Sequence, residues 1–223
     1  MTKLIFAVHG SNASELFGSA LREALASFGA TAIQVNADDE AVREALRFGP
    51  GEPISALLSV WTDEDVASTV GVVAKTVSDP QLHAYRVTER VRLDPEPTPD
   101  GERSDVMAQV ALLRRPDAMS QEDYLAYWML RHTPIAIRTQ NTSGYIQNIV
   151  EEALTPASPP LAAIVEEHFP MAAMSDPHEF YGSRGDDAEL SRRITELMTS
   201  VAAFGADQGL DLVPTSRYTW SLG

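Results

Sequence analysis

Two groupings of side chains have the types and spacing that acid–base chemistry needs. Tyr124, Trp128 and His132 recur at i, i+4 and i+8, which places them on one stripe of a helix. The stripe ends in an imidazole, a group that exchanges protons near neutral pH. The same stripe also suits a structural role, with Trp128 filling a core and His132 capping a helix C-terminus, where the dipole favours a cation. The second grouping is Ile164-Val165-Glu166-Glu167-His168-Phe169. Strand alternation puts Ile164, Glu166 and His168 on one face and Val165, Glu167 and Phe169 on the other. If Val165 and Phe169 face helices, Glu166 and His168 point inward, where a carboxylate could orient the imidazole or act as an acid. On an exposed edge strand the same pair would be solvated charges. The candidate catalytic residues are therefore His132, Glu166 and His168. Tyr124, Tyr127, Trp128, Tyr145, Asn148, Tyr218 and Trp220 are candidates for binding a substrate.

His9, His83 and His178 read as structural or surface residues. No two histidines stand at i, i+4, no His-x-His occurs, and the chain has no cysteine. Disulfides, thiolate nucleophiles and cysteine-ligated metals are excluded, and neither a metal nor a bound cofactor is expected. If a haem were held, His168 would be the first ligand to test. No P-loop, Gly-x-Gly-x-x-Gly or Gly-x-Ser-x-Gly sequence is present, which ranks nucleotide and serine-hydrolase chemistry low. Seventeen Lys and Arg against 32 Asp and Glu give a formal charge of −15 over 223 residues. Such a field repels phosphate backbones and anionic lipid, so neither nucleic acid nor membrane is an expected partner. The N-terminal apolar run is short for a secretory signal and no stretch approaches a bilayer-spanning length, so a cytoplasmic location is expected.

These residues need elements to position them. Short apolar runs predict strands at Lys3–His9, Thr31–Val35, Ile54–Trp61 and Leu82–Leu93. Between them, helical spacing runs from Leu16 to Phe28 and through Val66, Val70, Val73 and Val77, and Asp39 suits the cap of a short helix. Then comes Asp94-Pro95-Glu96-Pro97-Thr98-Pro99-Asp100-Gly101-Glu102, whose alternating prolines and lack of apolar side chains favour extended, solvated backbone. The order repeats after it. Strands are predicted at Met107–Leu113, Tyr145–Val150, Ala162–Phe169 and Val213–Trp220. Helices are predicted from Ser120 to about His132 and through Leu190, Ile194, Leu197, Val201 and Phe204. Each half reads β-α-β-β-α-β, the ferredoxin-like unit. The chain is thus expected to be α+β, with one ferredoxin-like domain at 1–94, a linker at 95–104 and a second at 105–223. The two are expected to pack sheet to sheet, so that each covers the other's bare face.

The segment from Val110 to Ala136 carries a resemblance. An apolar strand ends in Arg114-Arg115, a helix opens at Ser120, and Tyr124, Tyr127-Trp128 and His132-Thr133-Pro134 follow, with Ala136 beyond. This resembles the opening of EthD-domain proteins. The resemblance implies a dimeric α/β-barrel, in which two ferredoxin-like sheets enclose a cavity, here both supplied by one chain. It implies a substrate class, an aromatic or polycyclic apolar small molecule, better than it implies a reaction. The leading expectation is an enzyme using cofactor-free acid–base chemistry: a dehydratase, cyclase, isomerase or other lyase. The alternatives are a non-catalytic binder serving a degradation pathway, or a monooxygenase that uses no flavin or that uses haem. A homodimer formed through outer helices is compatible with either.

Overall fold

The computed structural model describes every residue except 11, 78 and 80, and the side chain of residue 12 is likewise left aside. Eight strands form one closed antiparallel barrel: β1 (Thr2–His9), β2 (Ala30–Ala37), β3 (Ile54–Thr62), β4 (His83–Leu93), β5 (Met107–Leu113), β6 (Gly144–Ala153), β7 (Ala163–Phe169) and β8 (Asp211–Ser221). Around the barrel the order is β1-β3-β2-β8-β5-β7-β6-β4. Within each half the strands run fourth, first, third, second, which is compatible with a ferredoxin-like unit. The sequence suggested two sheets stacked face to face. The structure also joins them by their edges, β2 on β8 and β4 on β6, because an open edge leaves a row of backbone N–H and C=O groups unpaired.

The barrel interior covers one face of β1 and helices cover the other, which is why it reads as a nearly unbroken apolar run. Leu4, Phe6 and Val8 join an outer cluster with Leu21 and Leu25 of α1 (Ser19–Ser27) and Val73 of α2 (Val66–Thr76). Ile5 and Ala7 point the other way, into the barrel, with Leu57, Tyr85, Val87, Val110, Leu112, Ile164 and Val213. On the second half, the outer layer is made by α3 (Gln121–Tyr127), a π-turn (Trp128–His132), α4 (Thr133–Thr139) and the long α6 (Asp187–Ala203), with the short α5 (Pro177–Tyr181) beside them. Tyr124, Trp128, Tyr145, Val165, Leu197 and Phe204 fill the space between these helices and the sheet.

The helix from Ser120 does not stop at His132. Ser120 caps it, accepting from the Asp123 N–H at 3.0 Å, as its position suggested. Pro134 cannot donate to the turn before it. The chain widens into the π-turn, the Thr133 hydroxyl donates to the Trp128 carbonyl, and the helix resumes to Thr139. Residues 101–104 lie along β8 beyond the point where β5 stops pairing with it: Ser104 N–H donates to Arg217 O and Gly101 N–H to Thr219 O. Among the described residues no helix is long and apolar enough to cross a membrane.

Candidate functional site

The barrel interior changes character along its axis. Its middle is an apolar plug. Toward the end where β1 begins and β4 ends, the inward residues become polar and line a pocket of about 490 Å³. Lys3, Gln34, Trp61, Glu89, Ile146, Glu166 and Arg217 form its walls, and residues 95–98 and Asp100 form its rim.

Glu166 sits among donors. His168 Nε2 is 2.6 Å from one carboxylate oxygen, Arg217 Nε is 3.5 Å from that same oxygen, and Gln34 Nε2 donates to the other at 2.7 Å. Burial alone would raise the carboxyl pKa. The His168 hydrogen bond and charge, with Arg217 and Lys3 behind them, outweigh it and bring Glu166 down to about 2. Glu166 is therefore a fixed anion, and His168 Nε2, facing it, carries a proton. The imidazole is itself buried, and its Nδ1 lies where a Cβ on Gly144 would come within 2.6 Å, so glycine is required across the strand pair. Arg217 Nε also donates to Gln34 Oε1 at 3.0 Å.

Lys3 is the second polar centre. Its Nζ lies 2.7 Å from Glu89 and 4.6 Å from the centre of the Trp61 ring, while Trp61 Nε1 donates to the other Glu89 oxygen at 3.1 Å. The Lys3 side chain is only 4% exposed. Desolvation lowers its pKa first, Glu89 and Glu166 pull it back up, and Arg217 adds to the lowering. An amine so placed gives up its proton more readily than a solvated lysine.

The structure separates the residues that the sequence grouped. Glu166, His168 and Asn148 face the barrel interior. His132, Tyr124, Tyr127 and Trp128 belong instead to the outer layer, on the far side of the sheet. His132 is 9% exposed, its Nδ1 is 3.1 Å from the Ser200 hydroxyl, and its ring lies 4.9 Å from that of Phe204. Burial brings its pKa down to about 4. Phe204 also stacks on Tyr127 at 5.5 Å and tilts against Tyr124 at 5.2 Å. Tyr145, Tyr218 and Trp220 turn outward as well, contrary to their expected place on the cavity wall. Tyr145 is buried under the helices, Tyr218 donates to Asp39 at 3.1 Å, and Trp220 packs toward Phe17 and meets the pocket only at its rim. The reason is parity: each of the three pairs across its ladder with an outward residue, Tyr145 with Glu167, Tyr218 with Val35 and Trp220 with Ile33.

Lys3, Gln34, Trp61, Glu89 and Arg217 were not singled out from the sequence. One signal was there: a lysine opening a strand otherwise made of apolar residues, in phase with Ile5 and Ala7. Of the remaining histidines, His9 and His83 meet at 3.2 Å at the opposite end of the barrel, and His178 bonds Ser183 at 2.6 Å. Among the described residues, no three His, Asp or Glu side chains converge as metal ligands.

The chain shares the fold of an anthrone oxidase-like protein. The two superpose with a TM-score of 0.57 over 100% of this chain and 93% of that one, at 9% identity. A protein from Lactobacillus acidophilus NCFM, provisionally named a monooxygenase, gives a TM-score of 0.47 at 7% identity over 100% and 96% of the two chains. A second provisional monooxygenase, from Fusobacterium nucleatum, gives 0.48 at 6% identity over 99% and 94%. At 9% identity the first of these likenesses shows the fold alone and says nothing about chemistry. No protein-family model matches the chain, and no curated protein matches it in sequence.

Proposed function

We propose that this chain is a small-molecule enzyme that removes a proton from an ionisable aromatic substrate in the barrel mouth and oxidises the resulting anion with molecular oxygen. The observation that carries the reading is the buried Lys3, which lines a 490 Å³ pocket beside an indole and within the field of Arg217. Lys3 accepts the proton and becomes an ammonium that Glu89 stabilises at 2.7 Å. Arg217, held by Glu166 and Gln34, offers its charge to the oxygen on which the substrate's negative charge settles. Glu166 and His168 act as positioning residues, since a carboxylate held at about 2 is a poor donor and a poor base near neutrality. An anion of this kind is electron-rich enough to reduce oxygen. For a methylene activated by a neighbouring carbonyl and aromatic ring, the balance is R₂CH₂ + O₂ → R₂C=O + H₂O.

The oxidative fate agrees with the name of the anthrone oxidase-like neighbour, and the resemblance of Val110–Ala136 to EthD proteins supports an aromatic substrate. In this reading the halves 1–94 and 105–223 are two ferredoxin-like units of an intrachain pseudo-dimer, with no second chain needed to complete the pocket. A lyase or isomerase begins with the same proton removal at the same Lys3–Glu89 couple and differs in what the anion does next. An oxygen electrode, with a panel of hydroxylated and keto-activated one- to three-ring aromatics, tests the proposal. Uptake that the wild type supports and Lys3→Met loses by about a hundredfold is the expected result. Substrate conversion without oxygen uptake would select the lyase or isomerase reading, and tight binding without conversion would select the non-catalytic binder.

A further inference from the structure

We infer that segment 95–100, which joins the two halves, is the specificity-determining wall of this pocket, setting how large an aromatic substrate gains affinity. The inference rests on the reading of the pocket as an aromatic site. β4 ends and β5 begins at the same mouth of the barrel, so the connection between them must pass that mouth. It does so as part of the wall: Pro95, Glu96, Pro97, Thr98 and Asp100 line the pocket opposite Trp61 and Lys3.

The strap is fixed at its far end. Gly101 N–H donates to Thr219 O at 2.8 Å, Ser104 N–H to Arg217 O at 2.9 Å, and Ser221 N–H to the Asp100 carboxylate at 2.9 Å. Arg103 and Tyr218 form an isolated bridge, which makes 101–104 a short extra edge on β8. Gly101 adopts φ +78°, and a Cβ there would lie 2.8 Å from Trp220 Nε1, so the turn into the strap admits only glycine without displacement. Before that turn, prolines at 95, 97 and 99 hold φ near its extended value and remove three N–H donors. The strap is therefore stiff, and it presents Pro95 and Pro97 to the pocket. Thr98 adds a link inward: its hydroxyl is 2.9 Å from that of Ser104, which lies 3.4 Å from Arg217 Nη1.

A one-ring ligand seated beside the Lys3–Trp61 pair is expected to reach the charged groups without touching Pro95 or Pro97, and a second or third fused ring to extend to them. The test is calorimetric binding of phenol, 1-naphthol and a hydroxyanthracene to the full chain. The wild type is compared with Pro95→Ala/Pro97→Ala and with Leu130→Ala, an exposed residue of the outer layer that does not line the pocket, and circular dichroism checks each fold. The double variant is expected to weaken the three-ring ligand about tenfold while phenol changes by less than about twofold and Leu130→Ala leaves all three unchanged. Equal effects on all three ligands, or none on any, would overturn the strap's role while leaving the aromatic site standing. Failure of all three to bind the wild type would overturn both. A double variant that loses its fold is replaced by the single Pro95→Ala, for which the same ordering is expected at about threefold.

Discussion

Lys3 and Ala108 hold equivalent places in the two halves. Lys3 pairs with Trp61 on β3 and Val87 on β4, and Ala108 pairs with His168 on β7 and Thr215 on β8. Carried along the ladders, the same equivalence sets Ser59 against Glu166, Gln34 against Ile146 and Glu89 against Arg217. Backbone geometry is repeated, and inward chemistry is not. A barrel made from two identical chains must repeat every inward charge, so a lysine in one sheet faces a lysine in the other. One chain escapes that constraint: a carboxylate in one half has a guanidinium as its counterpart, and Gln34 of the first half bonds Glu166 of the second. The outer layers differ too. The first half is packed mainly with aliphatic side chains, the second with Tyr124, Trp128, Tyr145 and Phe204. The asymmetry inside the barrel is what makes one composite site, and the asymmetry outside it is a matter of packing.

The largest effect should come from exchanging the charged member of the first pair. Lys3→Met is expected to lower turnover at least about a hundredfold with the fold intact, whereas Ala108→Ser at the equivalent position should leave it within about twofold. Comparable losses at both would dissolve the functional distinction between the halves. His132→Gln should keep turnover within about threefold, because the imidazole lies in the outer layer. Its signature is in stability. Its folded pKa of about 4 lies below the ordinary 6.5, so the unfolded chain binds the extra proton first, and stability falls as pH drops from 6.5 toward 4. The wild type should lose roughly 2–3 kcal/mol more than the glutamine variant across that window in denaturant titrations. Arg217→Lys keeps the charge but not the fork that holds Gln34 and Glu166, and about a tenfold loss in kcat/KM is expected. A loss confined to KM would assign Arg217 to binding alone.

The smallest effect belongs to Glu167, the neighbour of Glu166 on the opposite face. It is half-buried, and burial pushes its pKa up to about 7. Stability it contributes below pH 4.5 is lost as pH rises toward 7, so Glu167→Gln should stabilise the protein by about 1 kcal/mol at pH 8 and by almost nothing at pH 4. Glu166 has the opposite sign. Its pKa of about 2 means that its contribution is complete above 4.5 and disappears as pH falls from 4.5 to 2. Thermal melts of Glu166→Gln and Glu167→Gln across pH 3–8 therefore read out the two faces of one strand.

Most strands were legible because they are short apolar runs bounded by turn residues, and β5 occupies Met107–Leu113 as read. The start of the helix at Ser120 was legible from its cap. Its end was not, since a helical run meeting Pro134 normally stops, and only packing of Trp128 and His132 under α6 makes a π-turn worth its distorted hydrogen bonds. The stripe Tyr124-Trp128-His132 was correctly one face of a helix. Whether that face met a pocket or a core depended on what lay beneath it.

What the sequence determined by itself was local: the strand and helix segments, the alternation that puts Glu166 and His168 on one face of β7, and the absence of cysteine chemistry. Tertiary structure decided which residues share the barrel mouth. Gln34 and Glu166 are 132 residues apart and bond at 2.7 Å, and Lys3 meets Glu89 across 86. No periodicity within a segment encodes such neighbours. They follow from strand order, from edge pairing of β2 with β8 and β4 with β6, and from the register that closes the barrel, and all three come from pairing every strand edge while the apolar faces are buried.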